Sequence, residues 1–234
     1  MSHRLLARVL LAAAVAIAPW PEQASLAQSS GKPSASSDLR SRFPGRRVGG
    51  GTRGVCTSRF VAHLVPSSSV YAPGSVPVLA LLQGPSPEAS PLLMEFRPYL
   101  PGGLASAGAV PGQQVRLPAS EAGITLFNLP PLPGPTVWES SYLCGGDESG
   151  PGGDGGSAGA GSGSLSIVSD GPPPAISLLV KDRSDEDRSA EALLNGLRSS
   201  CGQTVNTRQV AERFGLADAI SDDWPERLPV RCPR

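Results

Sequence analysis

The sequence predicts an all-β body, an antiparallel β-sandwich of immunoglobulin-like general architecture, followed by a short C-terminal helical tail. Three observations indicate this fold class. Short β-type runs separated by Pro and Gly fill residues 46–180. Helical segments do not alternate with these runs, so a parallel sheet is not indicated. After residue 181 the apolar spacing changes to the period of a helix.

The chain begins with the three parts of a secretory signal peptide, residues 1–27. Arg4 and Arg8 precede an apolar run over residues 9–18, and Ser25 and Ala27 place small residues at the −3 and −1 positions of a cleavage site. The run is shorter than the roughly 20 apolar residues of a membrane-spanning helix. We therefore expect cleavage after Ala27, export to the periplasm or the exterior, and no membrane span in the mature chain.

The mature chain divides into a linker and a body. Residues 28–43 are polar and rich in Ser, which predicts a flexible linker. The β-sandwich domain is predicted over residues 44–184. Its candidate strands are residues 60–65, 77–83, 91–100, 113–118, 123–129, 136–144, 164–169 and 175–181. A Gly-rich insertion at residues 145–164 interrupts this domain and is expected to behave as a flexible coil in an expanded hairpin loop.

Residues 185–234 are predicted to form the helical tail. Apolar residues at helical spacing follow an acidic start at residues 185–187, where a helix N-terminus favours negative charge; they are Ala190, Leu193, Leu194 and Leu197. A second helix is expected to begin at Thr207, a favourable N-cap, and to stop at Gly215. An apolar stripe of this kind usually packs against a core.

The cysteine content agrees with export. There are four cysteines, and an even number in an oxidising compartment predicts two disulfides. Three pairings are possible, and the spacing favours Cys56 with Cys144 and Cys201 with Cys232. Each bond would stabilise the fold by about 3–4 kcal/mol in the loop-entropy model. The cysteines lack the C-x₂₋₄-C spacing of zinc sites, so no metal is predicted.

The net charge argues against nucleic-acid binding. Twenty basic residues balance twenty acidic ones, and removal of residues 1–27 leaves the balance almost unchanged. The charges are unevenly spread, because the charged residues within 32–59 are all basic except Asp38, and residues 117–180 contain no Lys or Arg. This distribution fits a basic arm lying near an acidic body, or a basic patch for an anionic polysaccharide or phospholipid surface.

The segment PGRRVGGGTRGVC, residues 44–56, has the G-x-G-x-x-G spacing of a phosphate-binding loop. Such a loop needs a strand before the glycines and a helix after them. Here a Ser-rich linker precedes them, and a cysteine and a β-type run follow, so no nucleotide or other cofactor is predicted. We expect a structural turn ahead of Cys56, in which the glycines provide positive φ or close packing; they are Gly49, Gly50, Gly51 and Gly54. The alternative is a binding surface formed by Arg46, Arg47 and Arg53.

The same segment resembles the signature of a cyanobacterial family of exported proteins, domain of unknown function (DUF) family 928. Further segments in the family's order are HLVP at 63–66, PLLMEFRPYL, GITLFNLPPL and WESSYLC, and the resemblance covers residues 44–200. The chain departs from the family where the Gly-rich insertion separates Cys144 from the segment Asp182, Arg183, Ser184, and where the aromatic-rich helix is reduced to EALLNGLRSS. The resemblance implies a shared fold and export, and it implies no activity.

Two aromatic residues on one predicted strand indicate the core of a sandwich. Tyr142 lies two residues before Cys144, as in an immunoglobulin-type tyrosine corner, and Trp138 shares its face of the strand. In immunoglobulin domains, however, the Trp follows the first cysteine. We expect Trp138 to be a core residue and not a platform for a sugar.

The sequence offers few catalytic candidates. His63 is the single histidine of the mature chain and lies in an apolar run, which is typical of a packed histidine, and no G-x-S-x-G motif is present. Paired carboxylates from distant positions stay open as the groups of a hydrolase; the candidates are Glu95, Glu121 and Glu139. The pattern therefore favours a non-enzymatic, exported interaction module for an envelope protein or polysaccharide, and the alternative is a cell-envelope hydrolase that uses carboxylates.

Overall fold

The computed structural model describes residues 35–51, 59–75, 77–100, 112–143 and 172–232, and these residues form two mixed sheets and a few helices. The strands are β1 (Val48–Gly51), β2 (Arg59–His63), β3 (Val70–Tyr71), β4 (Val78–Gln83), β5 (Ser90–Pro98), β6 (Gln113–Ser120), β7 (Gly123–Asn128), β8 (Thr136–Tyr142), β9 (Ala175–Leu179), β10 (Thr204–Asn206) and β11 (Arg227–Arg231). The helices are α1 (Ala35–Arg42), α2 (Asp185–Ser199) and α3 (Thr207–Arg213), with a 3₁₀ turn at Ala217–Ala219. All described residues belong to one compact unit, Pro33–Arg234.

The strands are ordered β1-β2-β4-β7-β11-β10 in a six-stranded sheet and β3-β9-β8-β5-β6 in a five-stranded sheet. Every β-run predicted within the described residues is a strand, whereas residues 164–169 and the insertion at 145–164 lie outside them. Most neighbouring strands are antiparallel, but β11 runs parallel to β7 and β3 runs parallel to β9. The prediction of purely antiparallel sheets is therefore wrong at these two pairs. In both, long stretches of chain separate the partners, as parallel pairing requires.

The facing sides of the two sheets share one apolar core. Leu79 and Leu81 of β4 and Met94 and Trp138 of the five-stranded sheet are all fully buried in it. Helix α2 contacts β4 and adds Leu194 to the same core. The core therefore lies between the two sheets, and helix α2 packs against it.

The helices of the tail follow the sequence prediction closely. Helix α2 begins after the N-cap Ser184, whose hydroxyl and backbone N–H exchange hydrogen bonds with Asp187 in a capping box. Helix α3 begins at Thr207 as predicted, but its N-cap is Asn206, whose side chain accepts from the N–H of Gln209, so the assignment of Thr207 as the N-cap is wrong by one residue. Its chain leaves the helix through Gly215, whose φ of 61° is the left-handed conformation expected of a glycine stop.

The tail also contains strands that the sequence did not predict. Strand β11 pairs with β7 in the middle of the described sheet, and β10 pairs with β11 at its edge. A disulfide joins Cys201, after α2, to Cys232, after β11. The tail therefore contributes β10 and β11 to the six-stranded sheet, and the prediction that it is helical throughout is wrong. Cys56 and Cys144 lie outside the described residues, so their pairing stays a prediction.

The predicted linker is partly ordered. Ala35–Arg42, within the expected linker of residues 28–43, forms α1, and the buried Phe43 follows it. Leu39 and Phe43 pack with Val70, Val137 and Leu178 in a second apolar cluster on the outer side of the five-stranded sheet. Helix α1 is also held by a polar contact, because Arg40 binds the fully buried carboxylate of Asp187, 2.5 Å away.

Candidate functional site

Gly49 and Gly50 of the signature segment, residues 44–56, pack closely between β2 and the chain that leads into β9. Strand β1 pairs with β2 on one side, while the N–H of Gly50 donates to the carbonyl oxygen of Pro173 at 2.7 Å on the other. A Cβ on Gly49 would lie 2.4 Å from the backbone nitrogen of Ala175, and Gly50 has a φ of 98°. Close approach at Gly49 and positive φ at Gly50 therefore explain two of the glycines, but these residues lie in strand β1 and not in the turn that was predicted.

Gly51 differs from these two. A Cβ on Gly51 would meet its nearest neighbour at 3.7 Å, an ordinary contact, and Gly51 does not have a positive φ. Gly54 and Arg53 lie outside the described residues. Gly45, earlier in the segment, has no room for a side chain either, because a Cβ there would lie 2.3 Å from the ring of Phe43 and 2.7 Å from Cβ of Ser69.

Arg47 is not part of an exposed binding surface. Its side chain is buried at 8% exposure, and its guanidinium donates to the carbonyl oxygens of Val65 (2.7 Å), Phe214 (2.6 Å) and Gly215 (2.9 Å). Burial lowers the pKa of Arg47 from its ordinary value. The last carbonyls of a helix lack partners within the helix and carry partial negative charge, so the cation caps the end of α3. Because its guanidinium is buried, Arg47 does not belong to an exposed binding surface of the kind given as the alternative for Arg46, Arg47 and Arg53.

Arg46 occupies the opposite environment. Its backbone forms an antiparallel bridge with Ile176 of β9, and its exposed side chain donates to the carbonyl oxygen of Pro174 at 3.2 Å. The structure therefore does not bring Arg46 and Arg47 together on one exposed face. One of them joins the tail to the body, and the other lies at the surface.

His63 is buried at the centre of the shared core. Its Nδ1 lies 2.7 Å from the hydroxyl of Ser177 and its Nε2 lies 2.9 Å from that of Ser140, and its ring stacks on Trp138 with centroids 3.5 Å apart. All four side chains are fully buried. Burial lowers the pKa of His63 well below its ordinary value, so the ring is neutral at physiological pH. A Ser–His arrangement without access to solvent holds the sheets together and has no route to a substrate.

Trp138 and Tyr142 lie where the strand pattern placed them. Trp138 is fully buried in the core, which confirms that it is not a platform for a ligand. Tyr142 lies farther along β8, and its hydroxyl donates to the carbonyl oxygen of Phe60 at 3.1 Å. This hydrogen bond joins the five-stranded sheet to β2 of the six-stranded sheet.

Two of the three candidate carboxylates face each other across neighbouring strands. Glu95 of β5 lies opposite Glu139 of β8, and Arg97 donates to Glu139 at 2.5 Å while its other terminal nitrogen lies 3.9 Å from Glu95. Burial raises the pKa of Glu139, and the charge of Glu95 raises it further, whereas Arg97 opposes the shift. Glu121 is exposed near the start of β7, apart from this group. The arginine thus already occupies the space between the two carboxylates.

An open groove lies beside the glycine strand. Phe60 lies opposite Gly50 on β2, and the ring of Trp224 packs edge-to-face against Phe60, with centroids 5.1 Å apart. The partly buried Trp224 borders a hollow of about 340 Å³ together with β1, Pro85 and Asp223. A Cβ on Gly84 would lie 2.9 Å from the Trp224 ring, so the absence of a side chain there lets the ring sit close to the sheet.

A second hollow continues on the other side of Trp224. Its volume is about 220 Å³, and it shares Ser221 and Trp224 with the first hollow. Its other walls are polar and come from the start of α3 and the loop before β11; they include Asn206, Arg208, Asp222 and Glu226. We call the two hollows and the ring between them the Trp224 groove.

The sequence analysis did not single out Trp224. The signal was present as an aromatic residue in the loop segment SDDWPE, where no strand or helix period would assign it to a core. Phe60, whose ring Trp224 contacts, belongs to the β-type run at residues 60–65 that was predicted to form a strand. Their contact joins residues far apart in the chain, and neither segment indicates it alone.

Several kinds of site are missing from the described ranges. Within them, no helix combines the length and the apolar character needed to cross a bilayer. In the same part of the chain, no three His, Cys, Asp or Glu side chains are grouped as metal ligands. Comparison with protein-family models, with curated proteins and with solved structures finds no match to this chain.

Proposed function

We propose that the protein is an exported, non-enzymatic interaction module that binds an envelope polysaccharide or protein through the Trp224 groove. The observation that carries the proposal is the partly buried Trp224, which packs against Phe60 and lines both hollows of an open groove. Tryptophan is enriched among the residues that dominate binding energy, because it offers a large apolar surface with little conformational freedom to lose. Its neighbours in the groove supply hydroxyl, amide and carboxylate groups that can orient a ligand.

The proposal also covers the β-sandwich architecture, the family membership and the exported location of the chain. Two sheets that share one core fit a β-sandwich, and we propose the immunoglobulin-like comparison only for the general arrangement of layers. Membership of the DUF family 928 and export of the mature chain rest on the sequence, through residues 44–56 and residues 1–27. A disulfide between Cys201 and Cys232 is what an oxidising compartment would allow.

The mature chain can be tested for retention on purified envelope fractions, one of polysaccharide and one of protein. We expect Trp224→Ala to reduce retention by about tenfold, measured at a temperature at which the variant is folded, because Trp224 is partly buried and also packs against Phe60. Arg46→Ala is the matched control, because it removes an exposed side chain outside the groove, and it should be retained like the wild type. Retention that depends on Arg46 and not on Trp224 would contradict the proposal and favour the signature as the binding surface.

A carboxylate hydrolase is the second candidate, and the raised pKa of Glu139 beside Glu95 is the observation that favours it. Such an acid could protonate a leaving group. Against this role, Arg97 donates to Glu139 and also lies near Glu95, so neither carboxylate is free to face a substrate. Release of soluble fragments from labelled polysaccharide, abolished by Glu139→Gln, would establish the hydrolase; retention without products supports the binding module.

A further inference from the structure

The Trp224 groove continues across two hollows, and this continuity bears on the shape of its ligand. The ring of Trp224 and the residue Ser221 line both hollows. Pockets that enclose a compact small molecule usually measure about 300–1,000 Å³. At about 340 Å³ and 220 Å³, the two hollows are at or below the low end of that range and lie side by side. An extended chain that crosses the ring fits this shape better than one enclosed molecule.

The walls of the two hollows differ in a way that suits a chain with both apolar and hydroxyl surfaces. In the first hollow, Gly50 and Phe60 lie opposite each other on neighbouring strands, so a flat stretch of backbone meets an aromatic side chain. In the second, the walls carry the hydroxyl of Ser221, the amide of Asn206 and charged groups. Pyranose rings present C–H groups on their faces and hydroxyls at their edges. A sugar face can therefore pack on Trp224 while its hydroxyls both donate to and accept from the polar walls.

The charges of the groove disfavour an acidic ligand. Three carboxylates line it, Asp222, Asp223 and Glu226, against the single cation Arg208. Arg208 is itself paired with Asp222, whose carboxylate lies 3.2 Å away, so an anionic ligand would find a cation already engaged and an excess of like charge. Asp223 accepts a hydrogen bond from Ser221. These exposed groups interact weakly through their charge in water, so they serve better as partners for hydroxyls than as attractors of a cationic polymer.

We infer that the ligand of the Trp224 groove is an uncharged polysaccharide chain lying across Trp224. This inference rests on the proposed function and narrows it to one class of ligand. It does not involve the arginine side chains of the basic segment near the N-terminus, although the backbone of β1 in that segment borders the groove. In that segment, Arg47 is buried. Arg46 forms a backbone bridge with Ile176 of β9 and is not among the residues that line the groove.

The test is affinity electrophoresis of the mature, disulfide-bonded chain in gels that contain one polymer each: an unbranched neutral glucan, a polyuronate, or a deacetylated amino-sugar polymer. We expect only the neutral glucan to retard the chain, and we expect Trp224→Ala to weaken that retardation by about tenfold. Trp224→Phe, which keeps an aromatic face, should retain part of the effect and guards against a variant that fails to fold. Arg46→Ala should behave as the wild type.

The other outcomes separate the two levels of the proposal. Retardation by the polyuronate or the amino-sugar polymer that depends on Trp224 would overturn the assignment to an uncharged ligand and leave the interaction module standing. The same holds if no polymer retards the chain but an envelope protein binds it in a manner that depends on Trp224. If neither polymers nor envelope proteins show any dependence on Trp224 in variants with unchanged melting temperature, both the ligand class and the proposed function are wrong.

Discussion

Asp187 is a fully buried carboxylate that joins three parts of the chain. It accepts hydrogen bonds from the guanidinium of Arg40, from the backbone N–H of Ala72 at 3.0 Å, and from both the backbone N–H and the hydroxyl of Ser184. A buried charge is costly unless it is paired and hydrogen-bonded, and here both conditions hold. The residue therefore fixes α1 and the chain after β3 to the N-terminus of α2.

The glycine strand provides a prediction with an internal control. Gly49→Ala should lower the free energy of unfolding by about 2 kcal/mol, because its Cβ would meet the backbone of Ala175 at 2.4 Å. Gly50→Ala should cost about 1 kcal/mol, because its φ is 98°. Gly51→Ala should stay within about 0.5 kcal/mol of the wild type. Urea unfolding measures all three, and a Gly51 variant as damaging as the Gly49 variant would show that the contacts described here are not the cause.

His63 predicts a pH dependence whose sign follows from its burial. Burial lowers the pKa of His63 in the folded state, whereas the unfolded side chain has its ordinary value of about 6.5. The unfolded state therefore binds the extra proton, so the contribution is complete above the unfolded pKa and declines as the pH falls below it.

Between pH 7.5 and 5.5, His63 should lower the free energy of unfolding by about 1.4 kcal/mol. Urea unfolding across this range measures the change, and His63→Gln controls for all other titrating groups. The wild type should lose more stability on acidification than the variant does, although the variant is less stable throughout. Parallel pH profiles of the two proteins would mean that His63 takes up a proton without unfolding.

At the scale of elements, the predictable strands are those with an apolar run of ordinary length. Strands β2, β4, β5 and β7 carry buried apolar residues in the pattern expected of a sheet. The missed strands lack that signal: β1 is mostly glycine, β3 and β10 have only two and three residues, and in β11 Pro229 interrupts a short run whose buried apolar residues are Leu228 and Val230. Their pairing comes from tertiary contacts, so periodicity does not reveal them.

The disulfide between Cys201 and Cys232 gives a prediction about the tail. The bond closes a loop with a sequence separation of 31 residues and joins the end of α2 to the end of β11. Replacement of both cysteines by Ser should lower the free energy of unfolding by about 3–4 kcal/mol in the loop-entropy model.

Chemical unfolding of the double variant, compared with the oxidised wild type, checks this value. Because β11 pairs with β7, the loss should appear in one cooperative transition that includes the sheets. A separate early transition of the tail, with the remainder unfolding as in the wild type, would contradict the assignment of the tail to the larger sheet.

At the scale of the whole molecule, the signature segment links the elements that the sequence presented separately. The backbone of Arg46 reaches β9, Gly50 reaches Pro173, and Arg47 reaches both the chain after β2 and the end of α3. The sequence indicated a structural role for the glycines through the failed phosphate motif. It could not indicate the role of Arg47, because all three of its acceptors are backbone carbonyls. Every residue carries a carbonyl, so no sequence pattern distinguishes these three. The Trp224 groove was missed for a related reason, since its two rings meet only in the folded chain.

The most direct test of this account is the free energy of unfolding of Arg47→Ala measured against that of Arg46→Ala. We expect Arg47→Ala to lower it by about 3 kcal/mol, because the buried guanidinium leaves three carbonyl oxygens without their donor. Arg46→Ala removes an exposed side chain and should change it by no more than about 0.5 kcal/mol. Equal stabilities of the two variants, or an Arg47 variant that keeps wild-type stability but no longer binds its envelope ligand, would contradict the account and make the signature the functional surface.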